Sequence, residues 1–296
     1  MKNPRSFIEN RFFSPMRITG AGILLSAAAA MTLTAALTGL SIAAPDSPAA
    51  SDTRAVHYYV SLGDSLAASY QPNGDFTHGY AEQLFADLKA HDPTLRLVKL
   101  GCGGETTARM IFDNSCGYPH GSQLAEAVSF LHAHRQFVRL VTLDIGGNDV
   151  LLCVFYRDQG CLDAALPSVA TNLATIVSTL REAAGPDVPI VGMNYYDPFL
   201  AFWFSDPTAA RITEQMVVQV NDVLGSAYST ASDPVADVET AFSTTDWTPQ
   251  PPDDVPLNVL RICQSTWMCD FIYGPDIHLN TDGYGVAAQA FLDALP

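Results

Sequence analysis

Basic residues are scarce in this chain: 15 Lys and Arg stand against 31 Asp and Glu, for a formal net charge of −16. Such an imbalance repels phosphate backbones and anionic membranes, so nucleic-acid binding is excluded as a function class. Charged residues of both signs make up only 16% of the 296 residues and hydrophobic ones 48%. A disordered chain is therefore excluded, and one well-packed domain with a sizeable core is expected. None of the six cysteines belongs to a two-residue-spaced pair and no His stands at ligand spacing beside them, which argues against a zinc site. There is no internal repeat and no Gly-x-Ser-x-Gly nucleophile elbow, which counts against an α/β-hydrolase of the lipase type.

The N-terminus has its own composition. Lys2, Arg5, Arg11 and Arg17 precede an uncharged run from Ile18 to Ala44 rich in Ala, Leu and Thr, the layout of an export signal. Small residues at Ser41 and Ala43 point to cleavage after Ala43, with Met16 as an alternative start. The competing reading is an uncleaved membrane anchor, since the run is long enough to span ~30 Å of hydrocarbon. The expected organisation is thus a signal at 1–43, a Pro/Ala/Ser/Asp-rich linker at 44–56 and one domain at 57–296, secreted and acidic. All six cysteines, Cys102, Cys116, Cys153, Cys161, Cys263 and Cys269, lie in the exported part, where an even count argues for disulfides. Short separations favour the sequential pairs 102–116, 153–161 and 263–269.

From residue 57 onward apolar runs alternate with helical patterns. Strands are expected at His57–Leu62, Leu95–Leu100, Val138–Ile145, Val188–Met193 and near Val235–Val238. Helices are expected at Tyr80–His91, Gln123–His134, Ala164–Ala184, Pro207–Thr230 and Thr281–Leu295. In the fourth helix Ile212, Met216, Val220, Val223, Leu224 and Ala227 recur at helical spacing and make one apolar stripe. The alternation implies an α/β protein with a parallel sheet of five strands and helices on both faces. In such sheets ligands bind beyond the carboxyl ends of the strands.

The chemistry-bearing residues, His278 excepted, fall at those ends. The first strand runs into Gly63-Asp64-Ser65-Leu66, where Ser65 is either a nucleophile or only a helix cap. The second ends in Gly101-Cys102-Gly103-Gly104-Glu105, whose glycines let backbone N–H groups converge as half of an oxyanion hole, or else make an ordinary turn. The third ends in Ile145-Gly146-Gly147-Asn148-Asp149, where Asn148 offers an amide donor or an Asx-turn. Near the C-terminus Asp276-Ile277-His278 precedes the last helix, and His278 is the natural general base. Each piece alone is weak. Their conjunction at one sheet edge points to acyl transfer by a serine.

These four blocks, in this order, resemble the SGNH (GDSL) hydrolase superfamily, and with three disulfides its secreted actinobacterial esterase and lipase branch. The resemblance implies a three-layer α/β/α sandwich with a flavodoxin-like sheet. It further implies Ser65 as nucleophile, His278 as base, and the Ser65 and Gly104 N–H groups with the Asn148 amide as oxyanion donors. A departure concerns the acid, which the family places three residues before the His, where Pro275 stands here. Either Asp276 reaches the imidazole through an altered turn or a backbone carbonyl near Pro275 accepts its proton, the latter being slightly favoured. A second is Gly103, where relatives often carry Ser. The aromatic run from Tyr195 to Phe204 suggests an acyl-binding wall of Tyr196, Phe199 and Phe202, or else a cap on the core. The expected activity is hydrolysis of an ester or lipid substrate by a monomer that needs no cofactor, metal or obligatory protein partner. The alternatives are a carbohydrate O-deacetylase and a non-catalytic binding protein on the same fold.

Overall fold

A computed structural model describes residues 55–296. The proposed signal, and all of the linker but its last two residues, lie outside the described residues. The chain runs through β1 (His57–Gly63), α1 (Tyr80–His91), β2 (Leu95–Lys99), α2 (Thr107–Phe112), α3 (Gln123–His134) and β3 (Val138–Asp144). It continues with α4 (Gly147–Tyr156), α5 (Gln159–Ala184), β4 (Ile190–Met193), a 3₁₀ turn (Pro198–Phe204), α6 (Pro207–Thr230) and β5 (Val235–Ala236). The last part comprises α7 (Val238–Ala241), a small antiparallel pair β6 (Pro249–Gln250) and β7 (Val255–Pro256), α8 (Leu257–Ser265) and α9 (Thr281–Asp293).

The main sheet has five strands in the order β2-β1-β3-β4-β5, all neighbours parallel. Because successive side chains point to opposite faces, the strands feed two separate cores. Val60, Leu62, Val141, Leu143 and Ile190 pack with α3, α4, α5 and α6. Tyr59, Leu140, Val191 and Met193 pack with α1, α8 and α9. The result is the three-layer α/β/α sandwich with order 2-1-3-4-5. Both sheet faces are dry, which is why the strands read as continuous apolar runs rather than as alternation.

The expected helices at 80–91, 123–134 and 207–230 end where the sequence places them. The stripe of α6 is buried at Met216, Val220 and Leu224, whereas Ile212 is exposed and Thr213 takes the inward position. α5 starts five residues earlier than expected, because Asp158 caps it by accepting from the Cys161 N–H at 3.0 Å. Among the described residues α5 alone is long and apolar enough to cross a membrane, yet its Leu173, Ile176, Val177 and Leu180 are buried in the sandwich. All six cysteines pair sequentially: Cys102–Cys116, Cys153–Cys161 and Cys263–Cys269, with Cα separations of 6.1, 5.3 and 5.0 Å. Three disulfides suggest an extracellular protein.

The turn after β4 is capped by a fully buried acid. Asp197 Oδ1 accepts from the Phe199 N–H at 2.8 Å, and burial pushes its carboxyl up to about 7. The folded chain then holds a proton that the unfolded chain releases near 3.8, so this group's contribution to stability falls as pH rises from about 4 to about 7. Asp197→Asn keeps a neutral side chain at all pH. It should raise the thermal unfolding midpoint by several degrees at pH 8 and change it much less at pH 4, as thermal scans at the two pH values will read.

Candidate active site

The site is assembled where β1 and β3 end. Gly63 closes β1 with φ +144°, and a Cβ there would lie 2.2 Å from the Asp144 carbonyl, so only glycine lets the two strand ends pass. The Gln123 side chain clamps this point, accepting from the Gly63 N–H at 2.7 Å and donating to its carbonyl at 2.9 Å. The chain then winds into a tight turn, with Ala68 N–H on the Asp64 carbonyl and Tyr70 N–H on that of Ser65. This leaves the half-buried Ser65 hydroxyl facing the crevice.

His278 arrives from the far end of the chain. Its loop is held by reciprocal backbone bonds, Trp267 N–H to the His278 carbonyl and Asp276 N–H to the Trp267 carbonyl, at 3.0 and 3.2 Å. The Tyr196 hydroxyl donates to the Ile277 carbonyl at 2.7 Å, and the Asn280 side chain caps α9. So placed, His278 Nε2 lies 2.8 Å from Ser65 Oγ and Nδ1 lies 2.6 Å from Asp276 Oδ1.

The partner of Nδ1 is therefore the Asp276 carboxylate, and the favoured Pro275 carbonyl is corrected. The same Asp276 oxygen also accepts from the His278 backbone N–H at 2.9 Å. That two-residue turn folds the carboxylate back onto its own imidazole, which is how an acid one position later than the family's still reaches it. It fixes a tautomer with the proton on Nδ1 and leaves Nε2 to accept from Ser65.

Asn148 is on the first turn of α4 rather than in a loop, because Gly146 at φ +115° starts the helix two residues after the strand. Its amide nitrogen donates to the Glu105 carbonyl at 3.0 Å and to Asp64 Oδ2 at 3.3 Å. The next residue, Asp149, accepts from both the backbone N–H and the hydroxyl of Thr107, at 2.9 and 2.7 Å. α4 is thereby tied to the loop carrying Gly104 and Glu105. Gly104 itself has φ +71°, and its surroundings are open. The structure brings Ser65, Asn148, Asp276 and His278 to one crevice, but Gly104 is exposed and lies outside the lining of the pocket described below.

Ser65, Asn148 and His278 edge a pocket with about 610 Å³ of empty space, open mouth included. Its walls are apolar: Val150, Leu151 and Val154 from α4, Pro198 and Phe199 from the turn, Val217 and Val220 from α6. Of the aromatics expected as a wall, Tyr196 and Phe199 line it. Phe202 does not; it stacks behind Phe199 with centroids 5.4 Å apart. Tyr195, which opens the aromatic run but was not singled out within it, lines the pocket too. Asp149 was not foreseen, its only signal being its place directly after Asn148.

A hydroxyl, an imidazole and a carboxylate aligned at the strand ends of a 2-1-3-4-5 sheet define an SGNH-type hydrolase fold. The chain belongs to the GDSL-like lipase/acylhydrolase family, whose model matches residues 61–286. A search among curated proteins finds no match. Among solved structures the chain is similar to a lipase from a goat rumen metagenome, at 17% identity and a TM-score of 0.55 over 81% of this chain and 97% of that one. It is also similar to the acetylxylan esterase Axe2 of Geobacillus stearothermophilus, at 16% identity and a TM-score of 0.52 over 80% of this chain and 93% of that one. At these identities the likeness concerns the fold.

Asp276→Asn should lower kcat by ~10²–10⁴ while leaving circular dichroism unchanged, because an amide at Nδ1 favours the wrong tautomer. A loss under ~10-fold would return the orienting role to a backbone carbonyl.

Proposed function

We propose that this protein is a secreted carboxylic ester hydrolase, acting on acyl or lipid esters through a Ser65 acyl-enzyme. The observation that carries the reading is the Ser65–His278–Asp276 hydrogen-bond chain opening directly onto an apolar pocket. Neutral His278 accepts the Ser65 proton at Nε2, Asp276 stabilises the imidazolium, and Ser65 Oγ attacks the ester carbonyl. The tetrahedral oxyanion is held by the Ser65 N–H, joined by the Asn148 amide when one of its N–H groups turns from Asp64 or the Glu105 carbonyl and by the Gly104 N–H when its loop moves over the crevice. His278 then returns the proton to the leaving alcohol, and water resolves the acyl-enzyme by the same path in reverse.

The lining favours an acyl chain over a sugar. A carbohydrate deacetylase needs polar partners for its alcohol side and almost no room on its acyl side, whereas here much of the pocket lining is Val, Leu, Pro and Phe. Each buried methylene of an acyl chain gains about 0.8 kcal/mol by leaving water. The acetylxylan esterase among the structural neighbours keeps the deacetylase as the second reading.

Ser65→Ala should remove both ester turnover and labelling by a fluorophosphonate, with native thermal unfolding. Labelling that survives in Ser65→Ala would end the assignment. On a panel of p-nitrophenyl esters the wild-type kcat/KM should peak beyond acetate. Val154→Trp, which fills the apolar wall, should move that peak to shorter chains by at least ~10-fold in relative kcat/KM. A wild-type peak at acetate, unmoved by the substitution, would favour the deacetylase.

A further inference from the structure

The loop from Trp267 to His278 is closed on the general base itself. Thr266 and Leu279 form an isolated antiparallel bridge, and inside it the Trp267 N–H donates to the His278 carbonyl. The excursion between these anchors is pinched a second time at Gly274. A Cβ there would lie 2.0 Å from the Trp267 carbonyl and 2.6 Å from that of Asp270, so the returning leg lies directly on the outgoing one. Beyond the pinch remains a three-residue tip, Phe271-Ile272-Tyr273.

That tip is apolar and bare. Phe271 is fully exposed, Ile272 is 76% exposed and Tyr273 42%. Among the described residues no other large apolar side chains are exposed in succession, and none of the three joins either core. The tip is also held in shape. The Asp270 carboxylate accepts from the Ile272 and Tyr273 N–H groups at 2.8 and 2.6 Å. The Trp267 ring meets Tyr273 edge-on at 5.4 Å, and Cys263–Cys269 ties the outgoing leg to α8.

We propose that Phe271-Ile272-Tyr273 is a docking prong for an uncharged lipid surface, seating the catalytic loop on the lipid aggregate that carries the ester. Area and shape choose lipid over protein. From these exposures and ~150–250 Å² per large side chain, the tip offers on the order of 400 Å², about half of the ~800 Å² that each partner of a specific protein complex buries. A convex prong also needs a matching pocket in a rigid partner, whereas a fluid lipid layer closes around it. Charge chooses the kind of lipid. Residues 262–296 contain no Lys or Arg, and Asp270 stands at the base of the tip, so anionic headgroups are repelled. The backbone is prepared for entry, because two of the tip's N–H groups already have an acceptor in Asp270 and need not be stripped of water unpaired. The Asp270 charge stays among the headgroups while Phe271 and Ile272 enter, with the Tyr273 ring at the boundary that suits an amphipathic aromatic. Ile277 and His278 of the same loop line the pocket, so a lipid surface held at the tip is held by the loop that carries the general base.

The inference rests on the ester-hydrolase reading for its purpose, but docking is measured without turnover. Phe271→Ser combined with Ile272→Ser alters side chains that bury little, so thermal unfolding should match wild type. In a Ser65→Ala background, co-sedimentation with phosphatidylcholine vesicles should give a partition coefficient at least ~10-fold lower for the double variant. Adding phosphatidylglycerol to the vesicles should weaken wild-type binding. With Ser65 restored, kcat/KM on a dispersed short p-nitrophenyl ester should stay within ~2-fold of wild type, while hydrolysis of a long-chain ester held in the vesicles should fall at least ~10-fold. Absence of wild-type binding, equal partition of wild type and variant, or binding that strengthens with phosphatidylglycerol overturns the proposal. So does a wild-type dimer in sedimentation velocity that is lost in the double variant, which would make the tip a contact between copies. Tip-dependent vesicle binding by a protein that turns over no ester would uphold the docking surface and end the ester-hydrolase reading.

Discussion

A hydrogen bond of 2.8 Å joins residues 65 and 278, and the rest of the site depends on how the two ends of the domain are brought together for it. The link is made by α9 packing beside α1 on one face of β1. Phe291 stacks on Tyr80 at 4.7 Å, the Tyr284 hydroxyl donates to the Tyr70 carbonyl, and Gln83 and Gln71 both reach Thr281. Tyr70 then lies against the His278 ring itself, at 4.4 Å between centroids. A parallel sheet makes this possible because β1 is followed by a crossover that returns its helix to the same face. The nucleophile and the last helix therefore share a neighbour, although more than two hundred residues separate them.

Scarcity of cations shapes the interior as much as the surface. Lys99 is spent on Glu82 and Arg181 on Asp233, both partly buried, and Arg109 lies 3.8 Å from the buried Glu105. Burial pushes Glu105 up to about 7 even beside Arg109, and Asp197, which has no ion-pair partner among the described residues, to about 7 as well. The alternative to pairing is protonation or a ring of neutral donors. Hence the Tyr195 hydroxyl on Asp64, the Tyr80 hydroxyl on Asp144, and the short turn that gives Asp197 the Phe199 amide. A composition poor in cations thus leaves the core to hold part of its buried carboxyls as acids or among neutral donors.

Much of this was legible in the sequence, and the parts that were not share a cause. Strand and helix patterns with full apolar stripes were placed to within a few residues, and Ser65 and Asn148 follow β1 and β3 while His278 precedes the last helix, as the sequence reading had them. α4 was missed. Its start carries no Ser, Thr, Asp or Asn cap but a glycine at positive φ, and its residues Val150 to Tyr156 are too uniformly apolar for a helical period to show. The Asp276 partner was misjudged because spacing along the chain was compared with a family pattern. The orientation is set by a local turn in which one carboxylate oxygen accepts both the backbone and the ring N–H of His278. The contact of the Asp64 N–H with Asp144 Oδ2, at 3.2 Å, is long-range across neighbouring strands, and nothing in a single sequence reports such register.

The three disulfides are distributed so that each adjoins one of the loops that carry chemistry. Cys102–Cys116 spans the segment holding Gly104 and Glu105, Cys153–Cys161 fastens the end of α4 to the start of α5, and Cys263–Cys269 closes the turn just before Asp276. None braces the sheet, which its two buried faces already hold. Loops at a strand-end crevice expose backbone and bury little apolar area, so they sit at the low-stability end of a domain. A cross-link there limits the open states of the loop more than it strengthens the fold. Asn148 and Glu105 meet at 3.0 Å only while α4 and the Gly104 loop both stay closed. The covalent bonds act at this point, keeping the acceptor and donor geometry that the loops would otherwise hold by packing alone.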